Sequence, residues 1–338
     1  MMKALASLLL IASLLAGAAH ATRAAVEKHP GQARFAQELA AEAAAVRPDL
    51  TRERIGAWLE RAEFRQGIID AMTRPAEAKP WRDYRPIFLT EKRIADGVAF
   101  WGQHAKLLER VAGEYGVPPE IIVAIIGVET SYGRVIGGHR VLDALVTLAF
   151  YYPPRAPYFR GELKRLLLLP EGTFPKPLDE LVGSYAGAMG LGQFMPTSYG
   201  TWARDQDGDG QIDLWGSMAD VFASVANYFV AHGWQSGEPI AVRAQQQPGA
   251  RRLEPAGFEP VYSVEQLAQW GYRTETRVDP LLRATLIRLD GSTGEEHWIT
   301  HQNFFAITRY NRSPLYAMAV TQLAQAIAAG REAEVLAP

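Results

Sequence analysis

The sequence predicts a mainly α-helical fold (α+β in class), with strands confined to one small insertion, and three observations carry that expectation. Apolar residues recur at three- and four-residue steps between Glu91 and Tyr115, the spacing that lines one face of a helix. An apolar run from Ile121 to Val128 starts just after Pro118-Pro119 and shows no alternation. The clearest strand signal comes late, where Leu286-Ile-Arg-Leu289 and Glu296-His-Trp-Ile299 flank Asp290-Gly291 as a hairpin would.

In chain order, the first segment reads as an export signal. Lys3 supplies the positive region, Ala4 to Ala18 the apolar stretch, and Ala19-His20-Ala21 a small-x-small cleavage site. That stretch is too short and too rich in small residues to span a membrane comfortably. Cleavage after Ala21 leaves residues 22–338, more than one core usually holds, so a large domain with a satellite is expected. Leu15-Ala16-Gly17-Ala18 has Ala where a bacterial lipid anchor needs Cys. With no cysteine anywhere, disulfides, thiolate nucleophiles and zinc-thiolate sites are all excluded. The expectation is a soluble, exported, periplasmic monomer without a lipid anchor.

The formal net charge is -2 and the pI about 6.4, with no polybasic stripe, which argues against nucleic acid as a partner. Residues 31–72 carry helical periodicity, with Trp58, Phe64, Ile68 and Ile69 as buried candidates. The next helix places Ile94, Val98, Trp101, Ala105, Leu108, Val111 and Tyr115 on one face, and Gly116 stops it. Pro118-Pro119-Glu120 suits the first turn of the following helix, because proline is tolerated where the N–H is unpaired. Ile121, Ile122, Val123, Ile125, Ile126 and Val128 are β-branched and by propensity alone would form a strand. The proline start and the unbroken apolar run favour a helix buried all round.

Helices are also expected at 142–151 and 218–232. The composition changes near Gly237, and Gln245 to Arg252 has no period and reads as loop. Residues 237–300 are therefore expected as the β-containing insertion. A last helix begins with Ser313 as cap and Pro314 in first position, and Gly330 is expected to end it.

Glu129 is the most informative position. It sits where the apolar helix runs into Thr130-Ser-Tyr-Gly-Arg134, so that burial would disfavour its anion and let it donate a proton near neutral pH. The alternative is a helix-ending Glu paired with Arg134 or Arg140, and from this segment the two readings stand level. A second segment, Gly183-Ser-Tyr-Ala-Gly-Ala-Met-Gly-Leu-Gly-Gln-Phe-Met-Pro196, has four glycines within ten residues. Its backbone can approach a ligand closely, and Ser184 and Gln193 add neutral groups suited to hydroxyls and amides. No Lys-Ser/Thr follows, so it is not a phosphate loop. By composition a plain connector remains the simpler reading. The third segment, Asn303 to Asn311 followed by Tyr316, reads alone as core.

Together the three segments resemble, in order and spacing across residues 30–330, the membrane-bound lytic murein transglycosylase B family. That resemblance implies a lysozyme-like catalytic core at 117–236, an N-terminal helical region at 22–116 and a C-terminal segment, 301–338, returning to the core. It implies Glu129 as the sole catalytic acid and base. It places cleft residues on Tyr84, Arg155, Ser184, Gln193, Tyr228, Tyr310, Asn311 and Tyr316, with Met189 and Gly190 lining the sugar site. Two departures stand out: Pro154 where relatives often carry a second Arg beside Arg155, and Tyr132 in place of a frequent Trp.

Asp205-Gln-Asp-Gly-Asp-Gly-Gln-Ile-Asp213 follows the EF-hand pattern, with carboxylates at positions 1, 3, 5 and 9 and Gly at position 6. Asp205, Asp207 and Asp209 would converge on Ca²⁺, joined by the backbone carbonyl of Gln211. Position 12 is Gly216 rather than Glu, and family relatives with a longer loop suggest Asp220 as the closing ligand. The alternative is a solvated acidic turn. The expected role of the ion is structural, and no organic cofactor is expected.

The resemblance implies cleavage of the MurNAc–GlcNAc β-1,4 bond of peptidoglycan with formation of 1,6-anhydromuramoyl ends, possible with one carboxyl because the C6 hydroxyl is the nucleophile. Other cell-wall enzymes are conceivable partners. A hydrolytic muramidase would need a second carboxylate; Asp143 is more simply a partner for Arg140. A non-catalytic, calcium-stabilised wall-binding protein is the third reading, and an intact Glu129 argues against it.

Overall fold

The computed structural model describes residues 28–73, 79–254 and 257–336; the export signal expected at residues 1–21 lies outside them. The N-terminal region holds α1 (Gly31–Ala43), α2 (Arg52–Arg61), α3 (Gln66–Met72) and α4 (Trp81–Phe88). Thr51 caps α2 by accepting from the Arg54 N–H at 3.2 Å. Trp58 and Ile68 are buried, and Phe64 and Ile69 partly so.

Helix α5 (Glu91–Tyr115) ends at Gly116, whose φ of 69° is the left-handed stop that glycine adopts freely. Helix α6 (Pro119–Thr130) follows, and Ile121 to Gly127 are all buried. Burial on every side, rather than β propensity, decides its conformation, because tertiary packing outweighs a few tenths of a kcal/mol per residue. The short ladder of β1 (His139–Arg140) and β2 (Val182–Gly183) then ties the loop after α6 to the glycine-rich segment, with His139 opposite Gly183. Helices α7 (Val141–Tyr151), α8 (Ala156–Leu168), α9 (Pro196–Trp202) and α10 (Met218–Ala231) complete this part.

The late insertion contains β3 (Ala241–Gln246), β4 (Tyr262–Ser263), α11 (Val264–Gln269), β5 (Tyr272–Thr274), β6 (Arg283–Gly291) and β7 (Gly294–Thr300). The antiparallel sheet runs β4-β6-β7-β3-β5. Alternation along β6 divides it between two cores: Leu286 joins a small cluster with Leu267 and Tyr272, while Ile287 and Leu289 face the main one. The hairpin turn differs from expectation. Gly291 pairs with Gly294, so Ser292 and Thr293 form the loop and Asp290-Gly291 lies within the strand. A Cβ on Gly291 would stand 2.4 Å from the Glu296 carboxylate, so close side-chain approach, not a turn, uses this glycine.

The chain returns through α12 (Gln302–Tyr310) and α13 (Pro314–Leu336), and α13 packs on α5 and α6. Gly330 does not end α13. A Cβ there would come within 2.7 Å of Val98, just as one on Gly97 would meet Ile327 at 2.6 Å. These two glycines let α5 and α13 approach closely. Among the described residues, no single helix is long and apolar enough to cross a membrane.

Candidate active site

Glu129 lies in the last turn of α6, half-buried, where the backbone turns sharply. Ser131, Tyr132 and Gly133 follow with φ of 51°, 62° and 84°. Two consecutive non-glycine residues in the left-handed region carry a steric cost, so the surroundings must hold them. The Tyr132 hydroxyl donates to the Arg93 carbonyl at 2.8 Å, and its ring fills the space left by Gly127 and Gly97. The Arg93 guanidinium donates to the Gly127 carbonyl. The Gly133 N–H donates to the Thr130 hydroxyl at 3.1 Å. Tyr132 thus braces the turn from inside.

The two arginines named as alternative partners for Glu129 are engaged elsewhere. Arg134 meets Asp96 at 2.5 Å, and Arg140 meets Asp143 at 2.6 Å. Glu129 instead accepts from the Tyr316 hydroxyl at 2.5 Å. Burial pushes its carboxyl up to about 7, and the Tyr316 hydrogen bond partly opposes that rise. Near neutral pH the side chain can therefore hold a proton or release one. Burial raises Tyr316 well above the usual phenol value, and the Glu129 charge adds to it, so Tyr316 stays a donor. Asp143 is occupied by Arg140, Arg65 and the Glu63 N–H. Among the described residues, no second carboxylate perturbs Glu129.

Of the expected cleft residues, Tyr310 and Tyr84 lie within electrostatic reach of this pair. Tyr310 feels the Glu129 charge; its hydroxyl donates to the Gly192 carbonyl at 2.5 Å, and its ring lies 4.7 Å from that of Tyr228. The Tyr228 hydroxyl donates to the Arg309 carbonyl at 2.6 Å. Both tyrosines spend their hydroxyls on backbone carbonyls, which ties α10, α12 and the glycine-rich segment together. Tyr84 stacks on Trp81 and is an electrostatic neighbour of Tyr316. Gln193, at φ 52°, donates its amide N–H to Gly190 at 2.9 Å and to Ile136 at 3.3 Å, which leaves the amide oxygen to accept from a ligand. Ser184 accepts from the Ala186 and Ala188 N–H groups, and its hydroxyl proton remains to donate.

Other expected positions sit differently. Met189 is fully buried, so it shapes the loop from beneath. Gly190 has φ 69° and presses on Leu214, leaving no room for a Cβ. Asn311 is half-buried just past α12. Arg155 is exposed, with its guanidinium 4.7 Å from the Tyr158 ring centroid.

In the acidic loop, carboxylate oxygens of Asp205, Asp207 and Asp209 lie within 4.8 Å of one another, all exposed. Their hydrogen-bond partners are the amides of Gly208, Gly210 and Gln211 and the Ser217 hydroxyl, not cations. Asp220 is buried outside this trio and accepts from the Gln206 and Asp213 N–H groups at 2.8 and 2.7 Å. Burial raises its carboxyl, and Asp207 and Asp205 add to the rise, which places it within their electrostatic reach. Asp213 turns inward to cap the Trp215 and Gly216 amides.

Two residues escaped the sequence reading. Ser217 caps α10 and also binds Asp207; the Ser-x-x-Asp spacing to Asp220 was its signal. Thr130 joins α6 to the glycine-rich segment by donating to the Leu191 carbonyl at 3.1 Å, and nothing local marks that contact.

Comparison with known proteins agrees with this architecture. The family described as "Transglycosylase SLT domain" matches residues 31–325. Membrane-bound lytic murein transglycosylase B of Escherichia coli (strain K12) is 51% identical over 252 residues, which is 74% of this chain and 68% of that protein. Catenated lytic transglycosylase SltB1 from Pseudomonas aeruginosa has a TM-score of 0.80 at 45% identity, with 89% of this chain and 98% of that chain covered. Escherichia coli Slt35 in complex with calcium has a TM-score of 0.79 at 44% identity, covering 90% and 94%. Pseudomonas aeruginosa SltB3 in complex with NAG-anhNAM-pentapeptide reaches 0.74 at 30% identity, covering 87% and 79%. In sequence and in fold, the chain belongs to the lytic murein transglycosylase B family.

Proposed function

We propose that Glu129 alone supplies acid and base in a peptidoglycan lytic transglycosylase that cleaves the MurNAc–GlcNAc β-1,4 bond and leaves 1,6-anhydromuramoyl ends. The observation that carries this reading is a carboxyl, pushed by burial up to about 7, that is hydrogen-bonded to a tyrosine and, among the described residues, has no second carboxylate acting on it. Hydrolases need a partner carboxylate about 5–5.5 Å away as nucleophile, or about 6.5–9.5 Å away to activate water. An internal nucleophile removes that need.

Tyr316 donates to one carboxyl oxygen of Glu129, and the other carries the proton. That proton passes to the glycosidic oxygen as its bond to C1 breaks. The muramoyl C6 hydroxyl then attacks C1 and returns its proton to Glu129, so the acid is regenerated and no water is consumed. Holding the C6 hydroxyl against C1 exploits proximity. Gln193 and Ser184 suit the sugar's hydroxyls and acetamide, and the Tyr84, Tyr228 and Tyr310 rings suit its faces. Arg155 serves the outer end of the substrate, away from the reacting bond.

Calcium fits the acidic loop: Asp205, Asp207 and Asp209 converge, and the Gln211 carbonyl and Asp220 would complete the set. A bound ion supplies structural rigidity by offsetting the mutual repulsion of these carboxylates. An export signal at residues 1–21, as the sequence is read, would deliver the protein to a periplasmic substrate. The test is mass spectrometry of soluble products from purified peptidoglycan, with Glu129→Gln as control. Muropeptides one water lighter than the hydrolysed form are expected. Reducing MurNAc ends would overturn the transglycosylase reading, and undiminished cleavage by Glu129→Gln would remove Glu129 from it.

A further inference from the structure

One residue, Leu191, joins three parts of this site. The Leu191 carbonyl accepts from the Thr130 hydroxyl at 3.1 Å, in the residue after Glu129. The Leu191 N–H donates to the Leu214 carbonyl at 2.8 Å, at the exit of the acidic loop. The next residue, Gly192, accepts from Tyr310, and Gln193 follows in a left-handed conformation. Thr130 is itself buried and saturated: it also accepts from Gly133 and shares its proton with the Ile126 carbonyl, four residues back in α6. A Cβ on Gly190 would strike the Leu214 backbone at 2.4 Å, so the two loops touch without slack.

We propose that Thr130 is a positioning residue: its hydroxyl sets the Leu191–Gln193 segment against the Glu129 end of α6, and the Leu191 amide couples that segment to the acidic loop. The coupling follows the chain from Asp213 to Leu214 and then two hydrogen bonds, Leu191 N–H to the Leu214 carbonyl at 2.8 Å and Thr130 hydroxyl to the Leu191 carbonyl at 3.1 Å. Thr130 does not contact the Glu129 carboxyl, so it acts on where the sugar is held rather than on the proton. Calcium in the acidic loop then restrains the Leu191 amide as well as the loop itself. The inference rests on Glu129 as acid and on the Gln193 segment as sugar wall.

The test compares Thr130→Val, which keeps shape and loses the hydroxyl, with Thr130→Ser, which keeps the hydroxyl. Loss of one such hydrogen bond corresponds to roughly a 3- to 10-fold change. Thr130→Val is expected to raise KM for soluble glycan strands by that factor, with the pH midpoint of kcat unchanged, and Thr130→Ser is expected to restore KM. Hydrogen exchange at the Leu191 amide reads the coupling without activity: it should speed up in Thr130→Val and slow when calcium chloride is added to the wild type. An unchanged KM in Thr130→Val, or a KM that Thr130→Ser leaves raised, would overturn the positioning role. Calcium that raises Tm but leaves Leu191 exchange unchanged would overturn the coupling. Failure of the underlying reading is separate, since it would show as activity in Glu129→Gln whatever Thr130 does.

Discussion

Glu129 and the acidic loop place the same chemical group in opposite surroundings. Glu129 sits at the end of a buried helix, hydrogen-bonded to a tyrosine, while Arg134 and Arg140 pair with other acids. Asp205, Asp207 and Asp209 crowd together in solvent, hydrogen-bonded among the described residues to backbone amides and a serine. Desolvation favours the protonated form of the first carboxyl; in the other three, clustering sets up a mutual repulsion that a cation would offset. A carboxylate's chemistry here is decided by what surrounds it, since the bare side chain has one ordinary pKa near 4.

The largest effect expected from breaking this contrast is on turnover. Glu129→Gln removes the transferable proton and should lower kcat by about 10²–10⁴-fold or more, measured as release of soluble muropeptides. The same variant should gain stability. A carboxyl raised from 4.5 to about 7 favours the folded state fully below pH 4.5, and that contribution is lost as pH rises through 7. The loss amounts to about 3 kcal/mol. Glu129→Gln should therefore unfold at higher urea than the wild type at pH 8, and the gap should close at pH 4. An equal gap at both pH values would contradict a desolvated Glu129.

Calcium probes the other half of the contrast. An ion at about 100 times its Kd stabilises the fold by about 2.7 kcal/mol. Calorimetry should show Tm rising with calcium in the wild type and not in Asp207→Ala; a calcium response that survives the substitution would mean the loop is a solvated turn. The smallest effect concerns Tyr316→Phe. Removing the one hydrogen bond that lowers the Glu129 pKa should move the alkaline limb of the kcat–pH profile upward, by about one to two units, since a bond to a charged group is worth about 1.5–3 kcal/mol. A downward move would mean Tyr316 serves substrate alone.

How much of this was legible beforehand depends on the reach of each interaction. The bounds of α5, the proline start of α6, the helix around Tyr228 and the hairpin strands all follow from short-range periodicity and punctuation. The misread places have a common cause. Gly291 and Gly330 look like turn and stop signals, yet each serves a close approach by a side chain, Glu296 in one case and Val98 in the other. Glycine's missing side chain answers both needs, and sequence alone does not separate them. Helix α8 went unread because Pro153, Pro154 and Pro157 punctuate its start.

By itself the sequence determined a buried helix ending in an acid, a glycine-rich segment able to lie close to a ligand, and alternate aspartates around a glycine turn. These are local facts, written in spacings of two to five residues. Tertiary structure alone decided that Tyr316, 187 residues away, would meet Glu129, and that Arg134 and Arg140 would not. It also turned the Tyr228 and Tyr310 hydroxyls onto backbone carbonyls and brought Thr130, Leu191 and Leu214 into one line. The physical reason is that a proton's affinity depends on the few ångströms around it, and packing fills those from distant parts of the chain.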